Sequence, residues 1–164
     1  MPAMKTAKKD ADLEQAKQAA TLQLLFRAAR LLDEEALARL GSAGPRPPLR
    51  RSHTALFPHI DLAGTRLTEL ARRTGVTKQA VAQLIDELEA WGVVDKRPDP
   101  ADRRAKLVVF SRRGRRGLLD GLALLQQLEA ELAQRIGART MQGLRRALLA
   151  ILDDPMVKAR AATP

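Results

Sequence analysis

The sequence predicts a mainly α fold. A small helix-turn-helix with a two-stranded β wing is flanked by long N- and C-terminal helices suited to dimerisation. Three observations predict it. Leucine-rich helical patterns stand at opposite ends of the chain. Between them, LTELARRTGVTKQAVAQLIDELEAWG reads as two short helices around a glycine turn. Directly after it, VVDKRPDPADRRAKLVVFS reads as a hairpin with arginines at its tip.

The first long helix is expected from about Asp12 to Leu40. Leu13, Ala16, Ala20, Leu24, Ala28 and Leu31 recur at three- and four-residue steps, the spacing of one helical face. Leu22, Leu25, Phe26, Leu32, Leu37 and Leu40 widen that face, so one neighbour does not cover it. Gly41 is placed to end the helix, and Gly44-Pro45-Arg46-Pro47-Pro48 breaks any continuation. A second helix is expected from about Leu49 to Phe57, stopped by Pro58, and a turn from His59 to Gly64 follows. Past the hairpin, Ser111 is the expected N-cap of another long helix carrying Leu118, Leu119, Leu122, Leu125, Leu128, Leu132 and Ile136. Gly137 interrupts it. Leu144, Ala147, Leu148, Ile151 and Leu152 mark a last helix ending before Pro155.

The chain therefore divides into a tail (1–11), N-terminal dimerisation helices (12–60), a reading lobe (61–111), C-terminal dimerisation helices (112–155) and a second tail (156–164). Excess apolar helix surface at both ends favours a homodimer over a monomeric bundle.

Composition narrows the function classes. The formal net charge is +10 over 164 residues, which attracts polyanions. Aromatic residues make up 2%, too few for reading single strands by base stacking. Double-stranded DNA is the expected partner. There is no cysteine, which excludes disulfides, thiol redox sensing and cysteine-based zinc sites. His53 and His59 lie six residues apart, which is not a zinc-site spacing, so no metal and no cofactor is expected. The N-terminal MPAMKTAKKDAD is followed by no apolar segment of the signal-peptide kind, and no apolar run approaches the roughly 20 residues that span a bilayer. A cytoplasmic protein without a membrane partner is expected. No Ser-His-acid set, phosphate-cradling glycine loop or carboxylate cluster supports catalysis, so no enzyme is expected.

Within the lobe, Thr68 to Arg73 forms the first short helix, Thr74-Gly75-Val76 the turn, and Thr77 caps the second. Ala71, Gly75 and Val81 are the small, turn-forming and wedge residues of a tight helix pair. Val81, Leu84, Ile85 and Leu88 face inward, leaving Lys78, Gln79, Ala82, Gln83 and Asp86 outward. Gln79 and Gln83 lie one turn apart, and glutamine pairs bidentately with adenine in a major groove. Arg72, Arg73 and Lys78 suit phosphates.

Strands are expected at Val93–Arg97 and Leu107–Phe110, around the turn sequence Pro98 to Asp102. From Asp95 to Arg116 nine basic residues, among them Arg103, Arg104 and Lys106, oppose three acidic ones, a balance of +6. Arginine at a hairpin tip suits a minor groove, and Asp102 is placed to orient the Arg104 guanidinium.

The run from about Thr65 to Gly114 resembles the multiple-antibiotic-resistance regulator (MarR) family of winged helix-turn-helix repressors. Asp102 and Arg104 match the family's Asp-x-Arg wing motif, and Phe110, Ser111 and Gly114 loosely match its Leu-Thr-x-x-Gly. The resemblance implies a dimer joined by its terminal helices, a palindromic promoter site, and repression. It also implies that Arg104, together with Arg103, reaches the minor groove. One departure bears on base preference: Gln83 stands where many members carry arginine. Release of DNA by a small aromatic or anionic effector is a further implication, for which Arg50, His53, Phe57 and His59 are the candidate pocket; the plainer reading of these residues is ordinary packing and hydrogen bonding near the dimer interface. A non-specific architectural DNA-binding protein is the alternative that the charge also permits.

Overall fold

The structure is a computed structural model. It describes residues 14–16, 19–42 and 47–162, without the side chains of residue 103 and residues 160–162. Among the described residues from Thr21 onward, seven helices and three strands run in the order α1 (Thr21–Ser42), α2 (Arg51–Thr54), a 3-10 turn (Phe57–His59), β1 (Thr65–Arg66), α3 (Leu67–Thr74), α4 (Lys78–Ala90), β2 (Val94–Asp99), β3 (Asp102–Phe110), α5 (Arg112–Ile136), α6 (Ala138–Asp153) and α7 (Pro155–Ala162). This is the mainly helical, winged helix-turn-helix architecture that the sequence predicts. Several boundaries differ.

Continuous helix begins at Thr21 rather than Asp12. Residues 14–16 are helical, Ala20 is not, and Asp12 and Leu13 lie outside the described residues, as does the tail 1–11. The expected helix from Leu49 to Phe57 shrinks to the single turn of α2. Pro58 does not stop a helix there; it sits inside the 3-10 turn, near whose start the missing N–H costs nothing. The expected tail 156–164 begins as helix α7, with residues 163–164 outside the described residues.

The hairpin is longer than predicted. β2 and β3 pair antiparallel from Val94↔Phe110 out to Asp99↔Asp102, which narrows the loop to Pro100-Ala101. β1 adds a third strand, pairing Thr65↔Val108 and Arg66↔Leu107 in the order β1-β3-β2. A two-residue strand is too short for any alternation to reveal.

The core lies in the lobe. Leu56, Ile60, Leu70, Val81, Ile85, Leu88, Val93, Val94, Val108 and Phe110 form one buried cluster from the two ends of the 3-10 turn, the helix pair and the sheet with its approach. Each such side chain contributes about 1.5–3 kcal/mol of transfer free energy on burial. Two glycines set its geometry. Gly75 takes φ 67° at the end of α3, a left-handed conformation that turns the chain into α4. Gly114, in the first turn of α5, lies so close to Val93 that an added Cβ would sit 1.8 Å from the Val93 carbonyl oxygen. Ser111 fixes the same junction. Its hydroxyl donates to the Gly92 carbonyl at 2.6 Å and accepts from the Gly114 N–H at 2.9 Å.

The terminal helices are built differently. Among the described residues α1 buries Ala36, α5 buries Gly114 and Leu128, and α6 buries none. Phe26 is 66% exposed, Leu119 67% and Leu152 63%. Helices α1, α5 and α6 line an apolar groove of about 460 Å³, including Leu32, Leu125, Leu144 and Leu148. Polar ties hold them in place: Arg39 grips both carboxylate oxygens of Glu131 on α5 at 2.7 and 2.9 Å, and Arg51 on α2 lies 3.3 Å from Asp33 on α1.

Candidate nucleic-acid interface

Helix α4 is two-faced. Val81, Ile85 and Leu88 are buried in the core, while Lys78, Gln79, Gln83 and Asp86 are exposed. Leu84 and Ala82 fall between. The Thr77 hydroxyl caps the helix, accepting from the Ala80 N–H at 3.3 Å. Thr77, Lys78, Gln79 and Gln83 thus share an exposed N-terminal half, the part of a recognition helix that reaches base edges.

Arg72 and Arg73 are more constrained than their sequence positions imply. Arg72 holds Glu69 through two nitrogens, at 2.8 and 2.7 Å. Arg73 bonds the same carboxylate at 2.7 Å, and also the His59 carbonyl at 3.0 Å and Asp61 at 2.9 Å. Hydrogen bonds from Arg72 and then Arg73 hold the Glu69 carboxyl down at about 2. Arg73 is therefore a strut between α3 and the 3-10 turn before it is anything else. Both arginines stay charged and half-exposed.

The wing carries the remaining cations. Arg104 and Lys106 are exposed on the outer half of β3, whose inner end carries the buried Val108 and Phe110. The Arg103 side chain lies outside the described atoms. Asp102 does not orient the Arg104 guanidinium, as the sequence reading expects. Its Oδ1 accepts the Arg104 backbone N–H at 3.0 Å, because a short acidic side chain at a turn reaches the amide two residues on more readily than a long side chain's tip.

Three residues beyond the sequence-based set shape this surface. Lys96 on β2 inserts its ammonium between Asp86 and Glu89 of α4, bonding Glu89 at 2.7 Å, and so locks the wing root to the recognition helix. The Asp86 bond, then the Glu89 bond, raise its pKa above that of ordinary lysine. Arg66 bonds Asp99 through Nε at 2.6 Å and Nη2 at 2.5 Å. Asp99 also accepts the Ala101 N–H at 2.8 Å, and that bond, followed by Arg66, pushes its carboxyl below the usual range. The four charged residues among the six of β2 mark Lys96 and Asp99 as unusual strand residues. Nothing local marks Arg66, 33 residues away, as a partner.

The four candidate pocket residues separate. Arg50 and His59 line an open cleft of about 500 Å³ beside α4, together with Arg73, Gln83, Leu84 and Glu87. His53 is fully buried and Phe57 packs edge-on to Phe110, ring centroids 5.6 Å apart. His53 Nδ1 accepts the Arg50 backbone N–H at 3.0 Å, Nε2 lies 3.2 Å from Glu87, and the ring stands edge-on to Trp91 at 5.0 Å. Burial, then the Arg50 charge, push its pKa below the ordinary histidine value despite Glu87. His53 is thus a joint between α2 and α4 rather than a wall of the cleft. Among the described residues no three His, Cys, Asp or Glu side chains converge as a metal site, and no helix is long and apolar enough to cross a membrane.

Residues 51–105 match a family model described as the MarR family. No curated protein matches the chain. Among solved structures, MarR from E. coli in its apo form has 22% identity and a TM-score of 0.66, over 81% of this chain and 97% of that one. The CouR repressor bound to a 23-mer DNA duplex has 22% identity and a TM-score of 0.62, over 82% and 93%. CouR from Rhodococcus jostii RHA1 bound to p-coumaroyl-CoA has 27% identity and a TM-score of 0.60, over 85% and 96%.

Proposed function

From the premise that residues 51–105 belong to the MarR family and that the chain has the fold of its transcriptional regulators, we propose that this protein is a homodimeric, ligand-responsive repressor that binds a palindromic promoter site in duplex DNA. One observation carries the reading. Helix α4 commits one face to the core and leaves Thr77, Lys78, Gln79 and Gln83 exposed, beside a wing that presents Arg104 and Lys106. The two recognition helices of a dimer enter successive major grooves, roughly 34 Å apart, with Gln79 and Gln83 at base edges. The wings follow the outer minor grooves. Lys78 meets phosphates, and so do the outer edges of Arg72 and Arg73.

The dimer is supported by the terminal helices, whose apolar side chains the single chain leaves open. An effector is supported by the cleft that Arg50 and His59 line against Gln83. An occupant there touches the reading helix itself, and Arg50, which also bonds Glu87 at 2.6 Å, and His59 offer polar contacts that suit a small anionic or aromatic molecule. CouR bound to p-coumaroyl-CoA is an example of a protein of this fold with a bound small molecule. A second reading, a non-specific architectural DNA binder, is favoured by the net charge of +10.

Fluorescence anisotropy on the DNA upstream of the protein's own coding sequence, against a scrambled duplex at near-physiological salt, separates the two. The regulator binds the native fragment at least about 10³-fold more tightly, if it controls its own promoter. An architectural protein binds both duplexes equally.

A further inference from the structure

The wing is least supported where it matters most. β1 covers β3 only at Leu107 and Val108, so the outer half of the hairpin is a bare two-stranded ribbon. Such a ribbon is marginal in water. Its ladder is also interrupted there, with a register shift between Pro98 and Asp99, and Pro98 has no N–H to donate. At this weak point stands Asp99, a carboxylate whose side chain is only 8% exposed. One oxygen takes two nitrogens of Arg66, and the other takes the Ala101 N–H of the tip. Arg66 is the last residue of β1 and the N-cap position of α3. A charged fork thus runs from the root of the helix pair to the turn of the wing and replaces the support that a longer third strand would give.

We infer that Arg66 and Asp99 are positioning residues that set the reach of the wing tip, and with it Arg104, relative to the recognition helix. Arg104 lies two residues beyond Asp102, the strand partner of Asp99, and its own amide is held by Asp102. Loss of the fork frees the tip at the Pro98 irregularity while the Lys96 bond still holds the wing root to α4. Arg104 then spends less time in a productive orientation. The inference rests on the DNA-binding reading proposed above.

Asp99→Asn gives a test whose sign is informative. Removing a negative charge beside DNA strengthens binding by electrostatics alone, because fewer like charges oppose the phosphates. A positioning role predicts the reverse. Binding of Asp99→Asn, Arg104→Ala and the double variant to a labelled A·T-rich duplex is measured by anisotropy over a salt series, with thermal unfolding in parallel. The expected result is a loss of about tenfold for Asp99→Asn, within the range of a single misplaced arginine contact. A shallower salt slope is also expected, with the double variant no weaker than Arg104→Ala alone. Binding of Asp99→Asn that equals or exceeds that of the parent overturns the inference, and so does a loss that adds fully to that of Arg104→Ala. An Arg104→Ala variant that binds like the parent overturns instead the assignment of the wing to DNA, and the inference with it. If Asp99→Asn is unfolded at the assay temperature, Arg66→Lys carries the same test, since it keeps the charge and loses the fork.

Discussion

The lobe from Leu56 to Phe110 and the helices on either side of it draw on the same aliphatic residues and spend them in opposite ways. In the lobe, Leu70, Val81, Ile85, Leu88, Val94 and Val108 are sealed from solvent by helices and strands of the same chain. In α1, α5 and α6, Phe26, Leu119 and Leu152 are mostly open. A core closed within one chain makes the lobe a rigid carrier for an exposed recognition face. An apolar face left open within one chain is the surface that the proposed homodimer covers. In the proposed dimer the lobe supplies the reading surface, and the ends supply the spacing between two such surfaces.

The largest effects should separate the two regions by stability. Leu70→Ala or Ile85→Ala should cost about 2–5 kcal/mol in denaturant unfolding, since each empties a sealed site. Gly114→Ala should also destabilise, by roughly 1–3 kcal/mol, because its Cβ meets the Val93 carbonyl. Changes in the terminal helices should act on association instead. Phe26→Asp combined with Leu152→Asp should convert a dimer to a monomer in sedimentation velocity while the far-ultraviolet signal of the helices persists. A double variant that remains dimeric would place the interface elsewhere.

On the reading face, Gln79→Ala and Gln83→Ala should each relax base preference by about 1–3 kcal/mol at the positions they contact, read by random-sequence selection, and leave folding unchanged. Selection of the same site by both variants would remove α4 from base readout.

The smallest effect is a pH signature of the lobe. His53 has a folded pKa below its ordinary 6.5, so the unfolded chain binds the proton more readily. Stability should therefore fall as pH drops below 6.5 and level off once the folded pKa is passed. Glu69 is depressed from 4.5 to about 2, so its stabilising contribution is present above pH 4.5 and lost between there and about 2. His53→Gln should remove the first decline and spare the second, as followed by thermal unfolding across the two windows.

How far the sequence revealed all this follows the same division. Helix periodicity marks the leucine-rich ends and the α3–α4 pair, and of the inward set Val81, Leu84, Ile85 and Leu88 all are buried except Leu84, which is half-buried. Cap chemistry placed Ser111 and Thr77. Local patterns failed where structure depends on distant partners. β1 is two residues long and exists because β3 passes beside it. Position alone suits Arg73 to a phosphate and gives no sign of its ties to Glu69, His59 and Asp61. Its arginine neighbours leave His53 open to a pocket or a packing role, and the fold buries it against Trp91 and Glu87. Asp99 looked like turn chemistry, and it is also the far end of an ion pair with Arg66.

Hydroxyl-radical footprinting of the protein on a duplex recovered by random-sequence selection tests the central claim most directly, because it reports the reading surface and the pairing of two copies together. The account predicts protection with two-fold symmetry, its two centres about one helical turn apart, with flanking minor-groove protection that disappears in Arg104→Ala. Uniform protection along the duplex, or a single unsymmetrical patch, would contradict it.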